Sequence, residues 1–257
     1  MRKGQISYFI LMGLILAIAF GFILYLKNQE QKSRSQISNT IEASYEPVRA
    51  YVEDCVKISA KESILSNAYQ GGYYNYSGNS LNYSFFMLPF YSKGKSKSTP
   101  TLKQLEEQLS YSLDYRIPEC ADNFEVFKEK GFDINFEKPR SKATILENQV
   151  LFQVDFPITV RTNGKNTKTF NAFSVTIPSR YKLVYSIADE ISSSLSKAPE
   201  KICISCLIDY GAQNDLKIFV AGYDKQAIRF TIIDEKVRIG SESLVFNFAH
   251  QMGDIIA

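Results

Sequence analysis

Histidine, the commonest general base and metal ligand near neutral pH, occurs once in the 257 residues, at His250. One copy excludes a multi-histidine metal centre, and a Ser-His-Asp relay would have to pass through it. No Gly-x-Ser-x-Gly turn is present to display a nucleophilic serine. Glycine-rich phosphate loops and a dinucleotide fingerprint after a strand are also missing, so neither a cofactor nor a metal is expected. An excess of one charge sign is lacking too: 30 Lys and Arg face 27 Asp and Glu, for a net +3. Nucleic-acid binders concentrate their Lys and Arg, so no nucleic-acid partner is expected. The carboxylates that lie close in sequence (Glu53, Asp54 and Glu62 on one helix, Asp234 and Glu235 at a strand end) read as solvated faces rather than catalytic pairs. No catalytic residue is assigned. Tryptophan is absent, and the aromatic content comes from 16 Tyr and 18 Phe.

What is present is a long apolar run. Ile6 to Leu26 carries no charge and no proline. At ~1.5 Å per helical residue, its roughly 21 residues span a hydrocarbon core of about 30 Å. Cleaved secretory signals have apolar cores of about 7–15 residues and a small-residue cutting site, whereas Phe20 to Leu26 offers none. Tyr25 and Lys27 suit the far interface. Arg2 and Lys3 precede the run, but Lys27, Lys32 and Arg34 follow it, so the positive-charge rule leaves orientation open. Two N-glycosylation sequons, Asn75-Tyr76-Ser77 and Asn82-Tyr83-Ser84, favour an outside location for the rest. The expected location is the cell membrane, crossed once, with lipid around the anchor and the C-terminal domain extracellular.

The expected fold class is α+β: an N-terminal transmembrane helix, a helical stalk, and an ectodomain of helices on antiparallel sheet. Residues 1–27 form the anchor or signal and 28–45 the stalk. A mainly helical part covers 46–140, and an antiparallel α+β part covers 141–257. Val48, Val52, Cys55 and Val56 recur at helical spacing up to about Asn67, and Gly71-Gly72 closes that helix. Residues 75–100 read as a Tyr-, Asn- and Gly-rich loop with a short apolar run at Phe85 to Phe90. Leu102, Leu105, Leu109 and Leu113 define a second helix, which Pro118 is expected to stop. Val150, Phe152, Val154, Phe156, Ile158 and Val160 alternate as a half-buried strand, with Pro157 marking an edge or a bulge. A turn at 162–165 leads to a return strand over 170–177, and Thr144 to Leu146 can pair on the other side. Leu183, Ile187, Ile191 and Leu195 line a helix over 179–196 that Ser179 can cap. Strands at 216–220, 227–233 and 244–248 complete the pattern.

The four cysteines are Cys55, Cys120, Cys203 and Cys206. Outside a cell the first reading is two disulfides. Pairing the two close residues gives Cys203–Cys206 and leaves Cys55–Cys120, a staple between two helices. Cys203-Ile204-Ser205-Cys206 also fits a redox motif, whose first thiol sits at a helix N-terminus. Pro199-Glu200-Lys201 can open such a helix, although no strong strand directly precedes it. Two isolated cysteines do not make the second knuckle of a zinc ribbon. Tyr69, Tyr73, Tyr74, Tyr76, Tyr83 and Tyr91 crowd one region, where they either pack a loop onto the body or form a face for sugars or protein partners. His250 reads as a surface or packing residue near a strand end.

Arg2-Lys3-Gly4-Gln5-Ile6-Ser7 ahead of the apolar run resembles the class III signal sequence of archaellins and type IV pilin-like proteins of archaea. That resemblance implies cutting between Gly4 and Gln5 by a prepilin-type peptidase, with the apolar helix retained; the alternative is an uncleaved signal anchor. Phe9 departs from the pattern, in which many pilins carry a Glu tied to subunit assembly. Val52-Glu53-Asp54-Cys55, Gln70-Gly71-Gly72-Tyr73, Pro100 to Glu106, Cys120, the strand 150–160 and Val245 to His250 follow in an order similar to that of uncharacterised membrane-anchored proteins of small-genome archaea. That group has no established activity, so it implies location and architecture alone. The expected function is a single-pass surface protein with a structural or interaction role, meeting other surface proteins or glycans. A minor pilin-like subunit is the alternative, and an envelope thiol oxidoreductase a further one.

Overall fold

The computed structural model describes residues 45–83, 86–162, 166–223 and 227–253. The expected anchor, Gly4, Gln5 and the expected stalk up to residue 44 therefore lie outside the described residues. The chain divides into two units, Met1–Arg49 and Ala50–Ala257. Of the first, only the start of helix α1 (45–69) is described. The second is an α+β body. Its elements are β1 (Ser80–Tyr83), β2 (Phe86–Lys93), β3 (Ser96–Lys97), α2 (Leu102–Ala121), a single 3-10 turn, α3 (Glu125–Lys128), β4 (Phe132–Phe136), β5 (Arg140–Ile145), β6 (Gln149–Thr162) and β7 (Asn166–Pro178). After these come α4 (Tyr181–Lys197), α5 (Ile204–Asn214), β8 (Lys217–Gly222), β9 (Ala227–Ile239) and β10 (Glu242–Gln251).

The smaller sheet is organised by β6. Its alternation buries Val150, Phe152, Val154, Phe156, Ile158 and Val160, each no more than 2% exposed. Strand β7 pairs along one edge of β6, while β5 and β4 share the other, opposite 150–155 and 158–162 respectively. Pro157 sits where the β6–β7 register shifts between Asp155 and Ile158. The bulge lets a central strand accept a residue with no N–H to donate, and the Pro157 carbonyl accepts from Glu137 N at 3.0 Å.

The outer edge of β5 is covered by α2. That helix starts with a capping box: Thr101 Oγ1 accepts from Gln104 N at 3.2 Å, and Gln104 Oε1 accepts from Thr101 N at 2.8 Å. It buries Leu105, Leu109, Leu113 and Ile117 at four-residue spacing. Its neighbouring face meets the strand. Ile145 N donates to Glu106 Oε1 and Ala143 N to Ser110 Oγ, both at 2.9 Å. Asp114 stands a further turn along, where burial pushes its carboxyl up and the neighbouring Ser141 partly offsets that push. The match is geometric: four helical residues advance ~6 Å and two strand residues ~6.8 Å, so successive turns meet successive outward amides. Pro118 does not stop the helix as expected. It is carried inside α2, which continues to Ala121.

The larger sheet has the order β1-β2-β10-β9-β8, with β3 also on β2. It departs from the all-antiparallel expectation, because β2 and β10 run parallel. Elements so far apart in sequence need no hairpin, so either direction is open to them. Residues 80–97, expected as a loop, supply three of its strands. Helix α4 lies against this sheet with Tyr181, Val184, Ile187, Ile191 and Leu195 buried. Its cap is not Ser179 as expected: Arg180 is the N-cap and makes no side-chain capping bond.

Candidate functional site

Both expected disulfides are present, and no described cysteine is free. Cys55 and Cys120 join α1 to the end of α2, with Cα atoms 5.6 Å apart across a separation of 65 residues. Tyr51 reinforces the joint, its hydroxyl donating to the Cys120 carbonyl at 3.1 Å.

Cys203–Cys206 sits in a different setting. Its Cα atoms are 5.2 Å apart at the start of α5. Cys203 is the N-cap, and its Sγ takes the place of a capping oxygen by accepting from Cys206 N at 3.3 Å. The Ser205 hydroxyl lies 3.5 Å from the same sulfur. Both cysteines are partly exposed. The space lined by Leu195, Tyr210, Phe230 and the two cysteines amounts to about 20 Å³. Room for little more than one water leaves the disulfide packed on this side.

Alongside runs an open groove of about 640 Å³, lined by Ile204 and Ile208 of α5, Ile218 and Val220 of β8, and Ile233 of β9. Ile204 and Ile208 are one turn apart and stand 56% and 65% exposed. The rim is charge-balanced: Lys217 meets Glu235 at 2.6 Å, and Lys236 meets Asp215 at 3.5 Å. Among the described residues β8 pairs only with β9, so its other edge is unpaired.

Side chains from elsewhere in the chain brace α5 at both ends. Before its start, His250 Nε2 lies 3.0 Å from the Pro199 carbonyl, and Nδ1 lies 2.7 Å from Ser92 Oγ. A carbonyl only accepts, so the proton belongs on Nε2, and Nδ1 accepts from the serine hydroxyl. His250 is fully buried, and burial holds its pKa below the ordinary value. At its end, Arg180 donates from Nη1 to the Asn214 carbonyl at 2.7 Å and from Nη2 to the Asp215 carbonyl at 3.2 Å. The same guanidinium makes a two-pronged pair with Asp234, Nε to Oδ2 at 2.9 Å and Nη2 to Oδ1. Asp234 has no exposed surface and also accepts from Lys236 N at 2.9 Å. It is not the solvated carboxylate expected. Glu53, Asp54 and Glu62 are exposed as expected.

Asn75 and Asn82 are both exposed, Asn75 in the loop after α1 and Asn82 on β1; Ser84 of the second sequon lies outside the described residues. Gln108 Oε1 accepts from Tyr74 N at 3.0 Å and pins that loop to α2. The crowded tyrosines mostly touch other rings. Tyr73 meets Tyr76 at 4.6 Å, Tyr69 meets Phe86 at 4.8 Å, and Tyr83 lies under Arg229 at 4.2 Å. Tyr91 is fully buried, and its hydroxyl donates to the Gly71 carbonyl at 2.9 Å. Burial, with the Tyr76 and Tyr185 hydroxyls adding, raises the Tyr73 hydroxyl to about 12. These rings fasten the loop rather than furnish an acid or base.

The sequence did not point to the Arg180–Asp234 pair or the α5–β8 groove. Only the Cys-x-x-Cys spacing marked the neighbourhood. Among the described residues no cluster of three or more His, Cys, Asp or Glu could hold a metal ion. No helix among them is long and apolar enough to cross a membrane, and the run at 6–26 lies outside them. No known protein family, no curated protein and no solved structure matches the chain.

Proposed function

We propose that this is a single-pass cell-surface protein, anchored by residues 6–26, that displays the α+β body outside the cell in a structural or interaction role. The observation that carries the reading is the state of the cysteines: all four are paired. Disulfides persist in oxidising compartments and are rare in a reducing cytosol. The charge-free run from Ile6 to Leu26 supplies the means of attachment. The exposed sequon asparagines Asn75 and Asn82 fit a surface that carries glycan. Its partners are membrane lipid at the anchor and surface proteins or glycans at the body.

The test is protease shaving of intact cells, followed by membrane fractionation and mass spectrometry. Body peptides released by external protease, with residues 6–26 retained in the membrane pellet, support the proposal. A body protected in intact cells, or full-length chain in the soluble fraction, refutes it. The Gly4-Gln5 junction favours a second reading, a minor pilin-like subunit of a surface filament. A mature N-terminus at Gln5 together with extraction in high-mass particles selects it over the first. Phe9, in place of the assembly-linked Glu, weighs against it.

A further inference from the structure

We propose that Cys203–Cys206 is an exchangeable disulfide that oxidises dithiols in extended polypeptides, and that the groove between α5 and β8 holds the apolar residues flanking those thiols. The inference concerns the body alone and stands whether or not the chain is anchored in a membrane.

Three features carry it. The first is the contrast between the two disulfides. Cys55 is 2% exposed, so that bridge reaches the surface only at Cys120, which is partly exposed, whereas Cys203 and Cys206 are both partly exposed. Exchange needs an attacking thiolate to reach a sulfur, so access separates a structural bridge from a labile one. The second is the stabilisation waiting for a thiolate at Cys203. The Cys206 amide already points at that sulfur at 3.3 Å, the Ser205 hydroxyl lies beside it, and an 11-residue helix begins there. Amides at a helix N-terminus favour a thiolate over a thiol. The third is the groove. Ile204 lies between the two cysteines and is at the same time part of the groove wall. A chain whose thiol reaches Cys203 thus has an apolar trough beside it, and the unpaired edge of β8 offers main-chain hydrogen bonds to an extended segment.

The exchange balances as follows. A substrate thiolate attacks Cys203 Sγ; a substrate-to-Cys203 disulfide forms, the Cys203–Cys206 bond breaks, and Cys206 leaves with the electron pair and takes up a proton. The second substrate thiolate attacks the substrate sulfur of that mixed disulfide. Its new bond completes the substrate disulfide and expels Cys203 as the stabilised thiolate. Two electrons pass from the substrate dithiol to the cysteine pair. Of the two protons lost by the substrate, one ends on Cys206 and one in solvent. A low-molecular-mass disulfide re-oxidises the pair.

The test uses the full chain in mild detergent. Native protein is incubated with reduced glutathione, alkylated and mapped by mass spectrometry. Alkylation at Cys203 and Cys206 with Cys55 and Cys120 still bridged is the expected result. Resistance of Cys203–Cys206, or reduction of both bridges together, overturns the proposal. Cys206→Ser, with Cys203 first charged as a mixed disulfide with glutathione, should then release glutathione to a single-thiol peptide with apolar flanks and keep that peptide disulfide-bonded at Cys203; no such adduct overturns it. Finally, Ile208→Asp should slow exchange with that peptide about tenfold while leaving the glutathione rate unchanged. Equal rates for the peptide in both proteins overturn the role of the groove. Ile208 is 65% exposed, so the substitution leaves the core untouched.

Discussion

Removing the guanidinium of Arg180 should come close to unfolding the body, and the cost can be worked from its contacts. In Arg180→Leu, volume is roughly kept, but the Asp234 carboxylate, with no exposed surface, loses both prongs of its partner. Breaking a buried pair in this way costs about 3–5 kcal/mol, because one charge stays in place without its neutraliser. The carbonyls of Asn214 and Asp215 lose their donors as well, at about 0.5–1.5 kcal/mol each for ordinary hydrogen bonds. The total, about 4–6 kcal/mol once partial relaxation is allowed, is comparable with the ~5–15 kcal/mol that holds a typical domain together. The double variant Arg180→Leu, Asp234→Leu should be more stable than Arg180→Leu alone. It leaves no buried charge, only the orphaned carbonyls and the Lys236 and Val237 amides. Urea unfolding followed by far-UV circular dichroism suits a protein without tryptophan, and urea does not screen charge. A coupling energy above about 2 kcal/mol from the double-mutant cycle is expected. If Arg180→Leu costs less than about 1 kcal/mol, or the double costs the sum of the singles, the pair does not brace α5 and the reasoning fails.

Three further outcomes follow from the same geometry. Replacing Cys55 and Cys120 together by Ala should lower unfolding free energy by about 4 kcal/mol on chain-entropy grounds, given the 65-residue separation; an unchanged urea midpoint would refute the staple. Ser110→Ala should cost about 1–3 kcal/mol, because the buried Ala143 amide loses its acceptor. Faster hydrogen exchange at Ala143, with Ile134 unaffected, is the local signature. His250 has a folded pKa below its unfolded value of about 6.5. The unfolded chain therefore binds more protons, and stability is complete above pH ~6.5 and falls as pH drops below it, by at most about 1.4 kcal/mol per pH unit. Asp114, raised by burial, acts in the opposite sense at lower pH. His250→Gln should flatten stability between pH ~5 and 6.5; an unchanged slope would show that the imidazole stays solvated.

The parts of the fold legible in the sequence are those with local causes. The β6 alternation follows from one strand having one buried face, and its proline was readable as an edge or a bulge, of which the register shift between Asp155 and Ile158 is the bulge. The leucines of α2 announce a helix in the same way. The two disulfides were legible because two cysteines three apart constrain the other pair. What was hidden has causes far away in the chain. Phe86 to Lys93 contains Pro89 and follows a Gly- and Asn-rich stretch, so no window around it signals a strand. It becomes one because β1 and β10 pair on its two sides. Ser92 and His250 are 158 positions apart, and Arg180 and Asp234 are 54 apart. Pro118 does not end α2 because its missing amide removes a single i→i−4 hydrogen bond, and the helix carries that loss on to Ala121.

The distant pairs share one consequence. His250 holds the Pro199 carbonyl ahead of α5, and Arg180 holds the Asn214 and Asp215 carbonyls at its end. Both side chains are themselves anchored, to Ser92 and to Asp234. Helix α5 buries only Leu207 among its own residues, too little apolar area to fix an 11-residue helix by packing alone. The braces therefore do what its own core face does not. They hold the amides of the first turn against Cys203 while leaving Ile204 and Ile208 exposed and both cysteines partly so. A bridge serving stability alone would gain nothing from that exposure, whereas one that exchanges with a partner requires both the rigidity behind it and the access in front.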